Sequence, residues 1–474
     1  MGRREIGLVA GYAISLIGGV LSLVLYAHML GPADYGRLAV YLALVEALQG
    51  VLFQWHRLAV VKFWAVNEKA DFASFLKTYH LVWLGLACAV LTVLGLAHFI
   101  EGKPLDPEWP AVIAMGIGKS AALYAQEIAR ASGASLRYAF GALLMTIGSA
   151  VAGVVAYRMT HSITAIMLAS TAVFISSSVI CGCRVGIAST GGRFSRQHVR
   201  SMLAYGLPLV PVFLAATALT RLDRPILAQF EVPAVVGVYA AATALISNMI
   251  AAGCLLVVTP AYPWLLREKE LLPDMEYRQL HAQVGLLMLG SVLAVSITLY
   301  TARGALLPLL LGKEIGAAAQ GDVLPLLAIS LIGAFRAHFF DQAYHLFSRT
   351  RALMVINLVT LAVAVIAIYL GARCGGLQGL LCGLLVANLL SILASATVAR
   401  SFVNLQQLGR GFSLLVLVSF GASLVGELVT RTLAGAVPAG QLASIASGAA
   451  AILVFTVGMY STNVGAIRSI VRRR

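Results

Sequence analysis

Long, continuous apolar runs constrain this chain more than any other feature of its sequence. Fourteen such runs, each about 20 residues or longer, fill most of the 474 residues. A run of this length crosses the hydrocarbon core of a bilayer as an α-helix, with its backbone polar groups satisfied inside the helix. The runs do not alternate, which excludes a barrel. Charged residues are only 11% of the chain, against about 25% in soluble domains, so we predict an all-α multi-pass membrane protein.

The predicted spans follow one another with short connections. They cover residues 6–30, 37–61, 78–100, 110–132, 138–158, 162–183, 202–225, 235–265, 281–301, 322–347, 352–370, 376–399, 411–433 and 441–461. No connection is long enough for a folded soluble domain, which counts against a membrane glycan polymerase or ligase. The six cysteines and the histidines lack metal-ligand spacing and no nucleotide-binding loop is present, so we predict no metal, no cofactor and no enzymatic activity.

The lysines and arginines give the chain an orientation. With the N-terminus inside, 22 of the 34 fall on the inner side and nine on the outer side, leaving Arg57, Lys119 and Arg336 within spans. The positive-inside rule therefore predicts that both termini are cytoplasmic. The net positive charge is explained by this topology, so binding to nucleic acid is not needed to account for it. The arginines at 472–474 are expected to contact anionic lipid.

A short repeat indicates an internal duplication. The Pro-Ala-x-x-Gly spacing that begins at Pro32 recurs at Pro233, an offset of 201 residues, and both copies separate two apolar runs. Repetition at a corresponding point of two similar helix series favours two matched halves. Segments 1–6 and 7–12 would form these halves, related by pseudo-twofold symmetry, and segment 4 would correspond to segment 10.

Two cations lie deep in corresponding spans. At 1.5 Å per residue, Lys119 of segment 4 and Arg336 of segment 10 are both predicted near the bilayer midplane. Ionisable residues at this depth are costly and mark functional sites by default. The pair predicts an anion-binding cavity between the halves. The alternative is that each cation snorkels to the interface or pairs with a neighbouring carboxylate.

Further polar residues accompany Lys119. Helical spacing places Gln126 on the same face as Lys119, with Glu127 about 80° aside. In segment 2, Glu46 and Arg57 share one face, with Arg57 at the cytoplasmic mouth. Arg57 could equally be an arginine that snorkels at the inner end of its helix.

In segment 10 the same helical spacing places Asp341 and His345 on the face opposite Arg336. These two residues are four positions apart and could carry a proton, although a structural contact between helices explains them equally well.

Segment 7 ends in a dense charge cluster. Arg221, Asp223 and Arg224 precede Pro225 at the predicted outer side. We expect Asp223 to pair with a flanking arginine and to fix the point where this helix breaks before the proline.

Three short stretches resemble the polysaccharide transporter family, the Wzx-type flippases. They are residues 30–36 (LGPADYG), 222–230 (LDRPILAQF) and 236–242 (VGVYAAA). Proline at 225 departs from the usually aliphatic family pattern. This family belongs to a superfamily that also contains multidrug/cation antiporters and lipid II flippases.

The resemblance implies two six-helix bundles facing a V-shaped central cavity, with two additional C-terminal helices. We place the N-terminal bundle at 1–200, the C-terminal bundle at 201–405 and the additional helices at 406–474. The implied function is to turn an undecaprenyl-pyrophosphate-linked oligosaccharide, an O-antigen, capsule or exopolysaccharide unit, from the cytoplasmic to the periplasmic leaflet of a bacterial inner membrane by alternating access. Polymerase and chain-length components of a glycan export system are possible partners.

On this hypothesis the site residues take three roles. Substrate binding is assigned to Lys119, Arg336, Arg57 and Gln126, ion coupling to Glu46, Glu127, Asp341 and His345, and a gate or structural role to Arg221, Asp223 and Arg224. The alternatives are a multidrug or cation antiporter, whose cavity should be acidic, and a lipid II-type flippase.

Overall fold

The computed structural model describes residues 3–67, 71–101, 106–434 and 440–462. Every regular element in these ranges is a helix, so the predicted all-α fold class is confirmed. The C-terminal arginines at 472–474 lie outside the described residues.

Within the described ranges, fourteen helices correspond to the predicted spans, and several change pitch or bend on the way. In chain order they are α1 (Arg3–Met29), α2 (Pro32–Leu48, Gln49–Phe53 and Gln54–Asn67), α3 (Phe72–Glu101), α4 (Glu108–Ala131), α5 (Ser135–Leu143, Leu144–Gly148 and Ser149–Thr160), α6 (Ile163–Ala188), α7 (Arg196–Gly206, Leu207–Leu209, Val210–Arg221 and Asp223–Leu227), α8 (Pro233–Leu271), α9 (Asp274–Thr301), α10 (Lys313–Ala318, Ala319–Asp322, Val323–Phe335, Arg336–Phe340 and Asp341–Leu346), α11 and α12 (together Thr350–Ala399), α13 (Leu405–Ala434) and α14 (Gly440–Thr462). A short helix, Arg303–Leu311, connects α9 to α10.

Eleven helices in the described part of the chain are long and apolar enough to cross a membrane. The continuous stretch that contains α11 and α12 counts once among them, although it holds two helices. Helix α1 contributes a shorter apolar stretch, Ala13–Met29, and α4 is 24 residues long but less apolar. The described helices therefore accommodate the predicted number of about fourteen spans.

The break between α11 and α12 is built from two glycines. Gly375 has φ −146° and Gly376 has φ +54°, and neither is helical. The positive φ at Gly376 is a conformation that favours glycine because other L-residues are strained there. The carboxylate of Glu231 accepts a hydrogen bond from the backbone N–H of Leu377 at 3.0 Å and so caps the first turn of α12.

The two copies of the repeat occupy equivalent positions. Pro32 is the first residue of α2 and Pro233 the first residue of α8, and each follows a residue in an extended conformation. A proline at the first position of a helix loses nothing, because its missing N–H has no partner inside the helix. Each proline therefore marks the start of a new helix.

Side chains around the first copy fix this turn to neighbouring helices. The Tyr157 hydroxyl of α5 donates to the Asp34 carboxylate at 2.5 Å, and Arg37 forms an ion pair with Glu108 of α4 at 2.5 Å. The motif therefore has a structural role at the beginning of α2.

Packing divides the chain into two compact units. The first, Met1–Ala228, contains α1 to α7. Its core includes Trp55, Tyr79 and Tyr124 from α2, α3 and α4, and the buried His56 ring nitrogen donates to the Tyr79 carbonyl at 3.0 Å. Helix α7 packs in this unit because Val210–Arg221 lies against the turn Gln49–Phe53 of α2. The domain boundaries after residues 200 and 405, which rest on the repeat and the family resemblance, stay predictions.

The second unit, Gln229–Arg474, contains α8 to α14. Within it α8 packs on α9 and α10, and α10 packs on the α11–α12 stretch. The last two helices, α13 and α14, pack on each other and on α9. The hydroxyl of Ser447 on α14 donates to the Gly426 carbonyl of α13 at 2.7 Å, the kind of contact by which small residues hold membrane helices together.

Candidate functional site

An ion pair joins α2 and α4 inside the first unit. The Lys119 ammonium group donates to the Glu46 carboxylate, and both side chains are partly buried. The sequence left open whether Lys119 faces a cavity or pairs with a carboxylate. The structure shows the pairing.

Helix α7 brings Arg221 and Arg224 within electrostatic reach of Glu46. Gly50 of α2 lies against Thr217 of α7, and Glu46 and Arg221 each lie four residues beyond this contact. The guanidinium groups of Arg221 and Arg224 act electrostatically on the Glu46 carboxylate. Arg224 is 9% exposed, and its Nε has no hydrogen-bond partner among the described residues.

Asp223 is also buried, at the first residue of the short helix that ends α7. The helix is interrupted at Leu222, three residues before Pro225, as expected for a proline that cannot extend the preceding turn. We call the group of Glu46, Lys119, Arg221, Asp223 and Arg224 the midplane layer, after the predicted depth of Lys119. Arg221, Asp223 and Arg224 extend it toward the predicted outer side.

A second group of charges lies about 12–16 Å further along α2 and α4, as counted from eight to eleven residues of helix rise. Arg57 Nε lies 3.7 Å from Glu127 Oε1, and Arg130 Nε donates to Glu127 Oε2 at 2.6 Å. We call Arg57, Glu127 and Arg130 the inner layer. The sequence predicted Arg57 and Glu127 as separate site residues, and the structure brings them together.

Each layer contains one more cation than carboxylates. The midplane layer has three cations and two carboxylates, and the inner layer has two cations and one carboxylate. Charges inside a membrane protein are expensive and are retained where they act on a substrate, an ion or one another. The first unit therefore presents positive excess at two depths, which suits an anion.

Gln126 lies apart from both layers. It is buried, and its amide nitrogen donates to the Tyr138 carbonyl of α5 at 3.4 Å. Its predicted role in substrate binding stays a prediction.

The second unit holds the other predicted deep cation, Arg336. Arg336 Nη2 lies 3.3 Å from Asp341 Oδ1 and also donates to the Asn357 side chain of α11. The sequence predicted Asp341 on the face opposite Arg336, which is wrong. Residues Arg336–Phe340 form a π-helical turn, in which the hydrogen bonds run from each residue to the fifth along, so that positions five apart lie close together.

His345 is exposed and acts electrostatically on Asp341 from one turn away. A proton path through these two residues stays a prediction.

Asn357 was missed by the sequence reasoning, although an amide inside an apolar run is a recognisable signal for a contact between helices.

Among the described residues, no group of three or more His, Cys, Asp or Glu side chains is placed to hold a metal ion.

The sequence matches no family model and no curated protein. The structure is similar to the lipid II flippase MurJ in an inward closed conformation, with TM-score 0.71, 13% sequence identity, and coverage of 98% of this chain and 100% of that one. It is also similar to an inward-facing multidrug resistance transporter of the MATE family, with TM-score 0.53, 15% identity, and coverage of 83% and 98%. The second of these proteins belongs to the MOP superfamily. At these identities the similarity shows the fold alone, and the chain has the fold of these two transport proteins.

Proposed function

We propose that the chain turns an undecaprenyl-pyrophosphate-linked oligosaccharide from the cytoplasmic to the periplasmic leaflet by alternating access. The observation that carries the proposal is the excess of one cation in each of the two charge layers of the first unit. A pyrophosphate with its sugars cannot cross hydrocarbon unaided, whereas cations within the spans can hold the anionic group while the prenyl tail stays in lipid.

The roles of the residues follow from the layers. Lys119, Arg221 and Arg224 would bind the pyrophosphate at the midplane, and Arg57 would bind it nearer the cytoplasmic end. Arg336 stays a predicted ligand from the second unit. Glu46 and Glu127 would release these cations to the substrate when protonated, which is the simplest way for them to couple transport to an ion.

A lipid II flippase is the second candidate, and the similarity to MurJ over 98% of this chain favours it. Lipid II shares the prenyl pyrophosphate, so the same layers would serve it. The motifs that resemble the polysaccharide transporter family favour the oligosaccharide. A cation antiporter is disfavoured because both layers carry positive excess.

The test compares the two ends of one ion pair. Lys119→Gln and Glu46→Gln both break the pair, but the first removes the positive excess of the midplane layer and the second doubles it. With undecaprenyl pyrophosphate as the probe and native mass spectrometry as the readout, we expect Lys119→Gln to bind at least about tenfold more weakly, the loss of a charged hydrogen bond. Glu46→Gln should bind as tightly as the wild type or more tightly.

The control removes an ion pair that belongs to neither charge layer. Glu427 and Arg431 pair on α13 at 3.3 Å and are well exposed, so Glu427→Gln/Arg431→Gln should bind like the wild type. Equal weakening in Lys119→Gln and Glu46→Gln would show that the pair is structural and would contradict the proposal.

The phenotype of a deletion strain distinguishes the two candidate substrates. Loss of surface glycan with accumulation of its lipid-linked unit on the cytoplasmic face supports the oligosaccharide. Accumulation of lipid II with lysis supports the second candidate instead.

A further inference from the structure

We propose that the inner end of α7 carries a binding site for an anionic phospholipid, separate from the charge layers. The site is an open groove of about 650 Å³ along Arg196–Gly206 and the turn that follows it. Its volume is within the range of about 300–1,000 Å³ that is usual for small-molecule sites. The groove is lined by Phe194, Arg196, Val199, Arg200, Leu203, Ala204, Leu207 and Pro208.

The helix that forms the groove is fixed by its opposite face. Met202 is fully buried in the core of the first unit, and the His198 ring packs edge-on against Phe75. Ahead of the helix, the Arg193 and Ser195 backbone N–H groups donate to Ser74 and Thr78 at 2.9 and 3.0 Å. The groove is therefore preorganised, which lowers the entropic cost of binding.

The outward face combines apolar and basic side chains at helical spacing. Val199, Leu203 and Leu207 follow one another at intervals of four residues, Arg196 continues this stripe toward the start of the helix, and Arg200 lies along one edge of it. Phe194 and Leu207 line the groove and are 53% and 56% exposed. An amphipathic helix with a basic margin is the pattern that binds at the membrane interface.

Charge complementarity selects the occupant. Three arginines lie within residues 193–200, and the sequence has no Asp or Glu from residue 128 to residue 222. The exposed Lys62 adds a further cation nearby, with its Nζ 3.9 Å from the centre of the Tyr205 ring. The positive-inside rule predicts this region in the cytoplasmic leaflet, where anionic lipids are attracted by clustered arginines. An anionic headgroup between the arginines would leave its acyl chains along the apolar stripe.

The test uses the full chain in detergent, stripped of lipid, with a photoactivatable dioleoyl phosphatidylglycerol as the probe. We expect labelling of residues 194–208 and tighter binding than that of the matching phosphatidylcholine. Arg196→Gln/Arg200→Gln should weaken phosphatidylglycerol binding about 25-fold, from about 1 kcal/mol or fivefold per arginine. Binding of phosphatidylcholine should not change.

Matched variants separate this site from general electrostatics. Arg349→Gln/Arg351→Gln removes two exposed arginines from another predicted inner connection and should leave the labelling intact. Leu207→Asp changes an exposed residue, so the protein should fold, and it should also abolish labelling at the groove.

Two further binding measurements vary the acyl-chain length of the lipid and add a soluble anion as competitor. Dihexanoyl phosphatidylglycerol should bind at least tenfold more weakly than the dioleoyl lipid, and inorganic pyrophosphate should compete poorly. Equal labelling by phosphatidylcholine, equal loss in the Arg349/Arg351 control, or equal affinity for the short-chain lipid would each overturn the proposal. Tighter labelling by undecaprenyl pyrophosphate than by phosphatidylglycerol would also overturn it, because the groove would then belong to the transported substrate.

Discussion

At the scale of single residues, Arg224 is the side chain for which we expect a role in function and a cost in stability. Its guanidinium group is buried, and its Nε has no hydrogen-bond partner among the described residues. A buried cation with incomplete pairing costs free energy, and proteins tolerate such a cost chiefly at functional sites.

We therefore expect Arg224→Met to raise the free energy of unfolding by roughly 1–2 kcal/mol and to lower glycan export. Thermal unfolding in detergent and surface glycan staining measure the two effects. The half-buried Arg221 serves as the comparison, since Arg221→Met should lower export without a gain in stability. An Arg224→Met protein that is less stable than the wild type would show that this arginine is structural.

Tyr157 provides a second prediction at the residue scale. Its hydroxyl donates to the Asp34 carboxylate at 2.5 Å and ties the beginning of α2 to α5. Hydrogen bonds to charged groups contribute about 1.5–3 kcal/mol, so Tyr157→Phe should destabilise the protein by a similar amount.

The control for Tyr157→Phe is Tyr369→Phe, because Tyr369 is 40% exposed. Equal melting temperatures of the two variants in detergent would contradict the assignment of Asp34 and Tyr157 to a structural contact.

At the scale of helices, the turn between α11 and α12 depends on one glycine. Gly376→Ala would place a Cβ in a left-handed conformation and against the Glu231 side chain that caps α12. A left-handed L-residue costs about 1–2 kcal/mol, so we expect a loss of at least that size in unfolding free energy.

The adjacent glycine is a close control for that substitution. Gly375 has an ordinary φ, and a Cβ added there would meet no atom within 4 Å. Gly375→Ala should therefore leave the unfolding free energy within about 0.5 kcal/mol of the wild type. Equal effects of the two alanines would mean that the turn has another conformation.

The positions of the helices could be predicted from the sequence because hydropathy determines where a chain can cross a bilayer. Segment 110–132 corresponds to Glu108–Ala131, and the gap between 370 and 376 contains the beginning of the break at Gly375–Gly376. The directions of side chains were less predictable. π-Helical turns such as Gln49–Phe53 and Arg336–Phe340 leave no mark in a continuous apolar run. Angles counted at 100° per residue therefore placed Asp341 on the wrong face.

The sequence also did not predict which residues on different helices pair with one another. Lys119 and Glu46 are 73 residues apart, and which carboxylate meets which cation depends on the packing of α2 against α4. The sequence shows which helices carry the charged residues, whereas it does not show which of these residues pair with one another.

At the scale of the whole molecule, the orientation in the membrane is a prediction from the distribution of lysine and arginine. Fourteen spans with a cytoplasmic N-terminus place the C-terminus in the cytoplasm too. A green fluorescent protein fused after residue 474 should fluoresce, and alkaline phosphatase fused after Gly312 should be active in the periplasm. Fluorescence of a green fluorescent protein fused after Gly312 would show that the chain has the opposite orientation.

Translocation by the purified chain tests the central claim most directly. The measurement is the rate at which proteoliposomes move an undecaprenyl-pyrophosphate-linked oligosaccharide between leaflets. We expect the wild type and Glu427→Gln/Arg431→Gln to move it at equal rates, and Lys119→Gln to be slower by at least about tenfold. A wild-type protein that does not move this lipid, or a Lys119→Gln protein that moves it at the wild-type rate, would contradict the account.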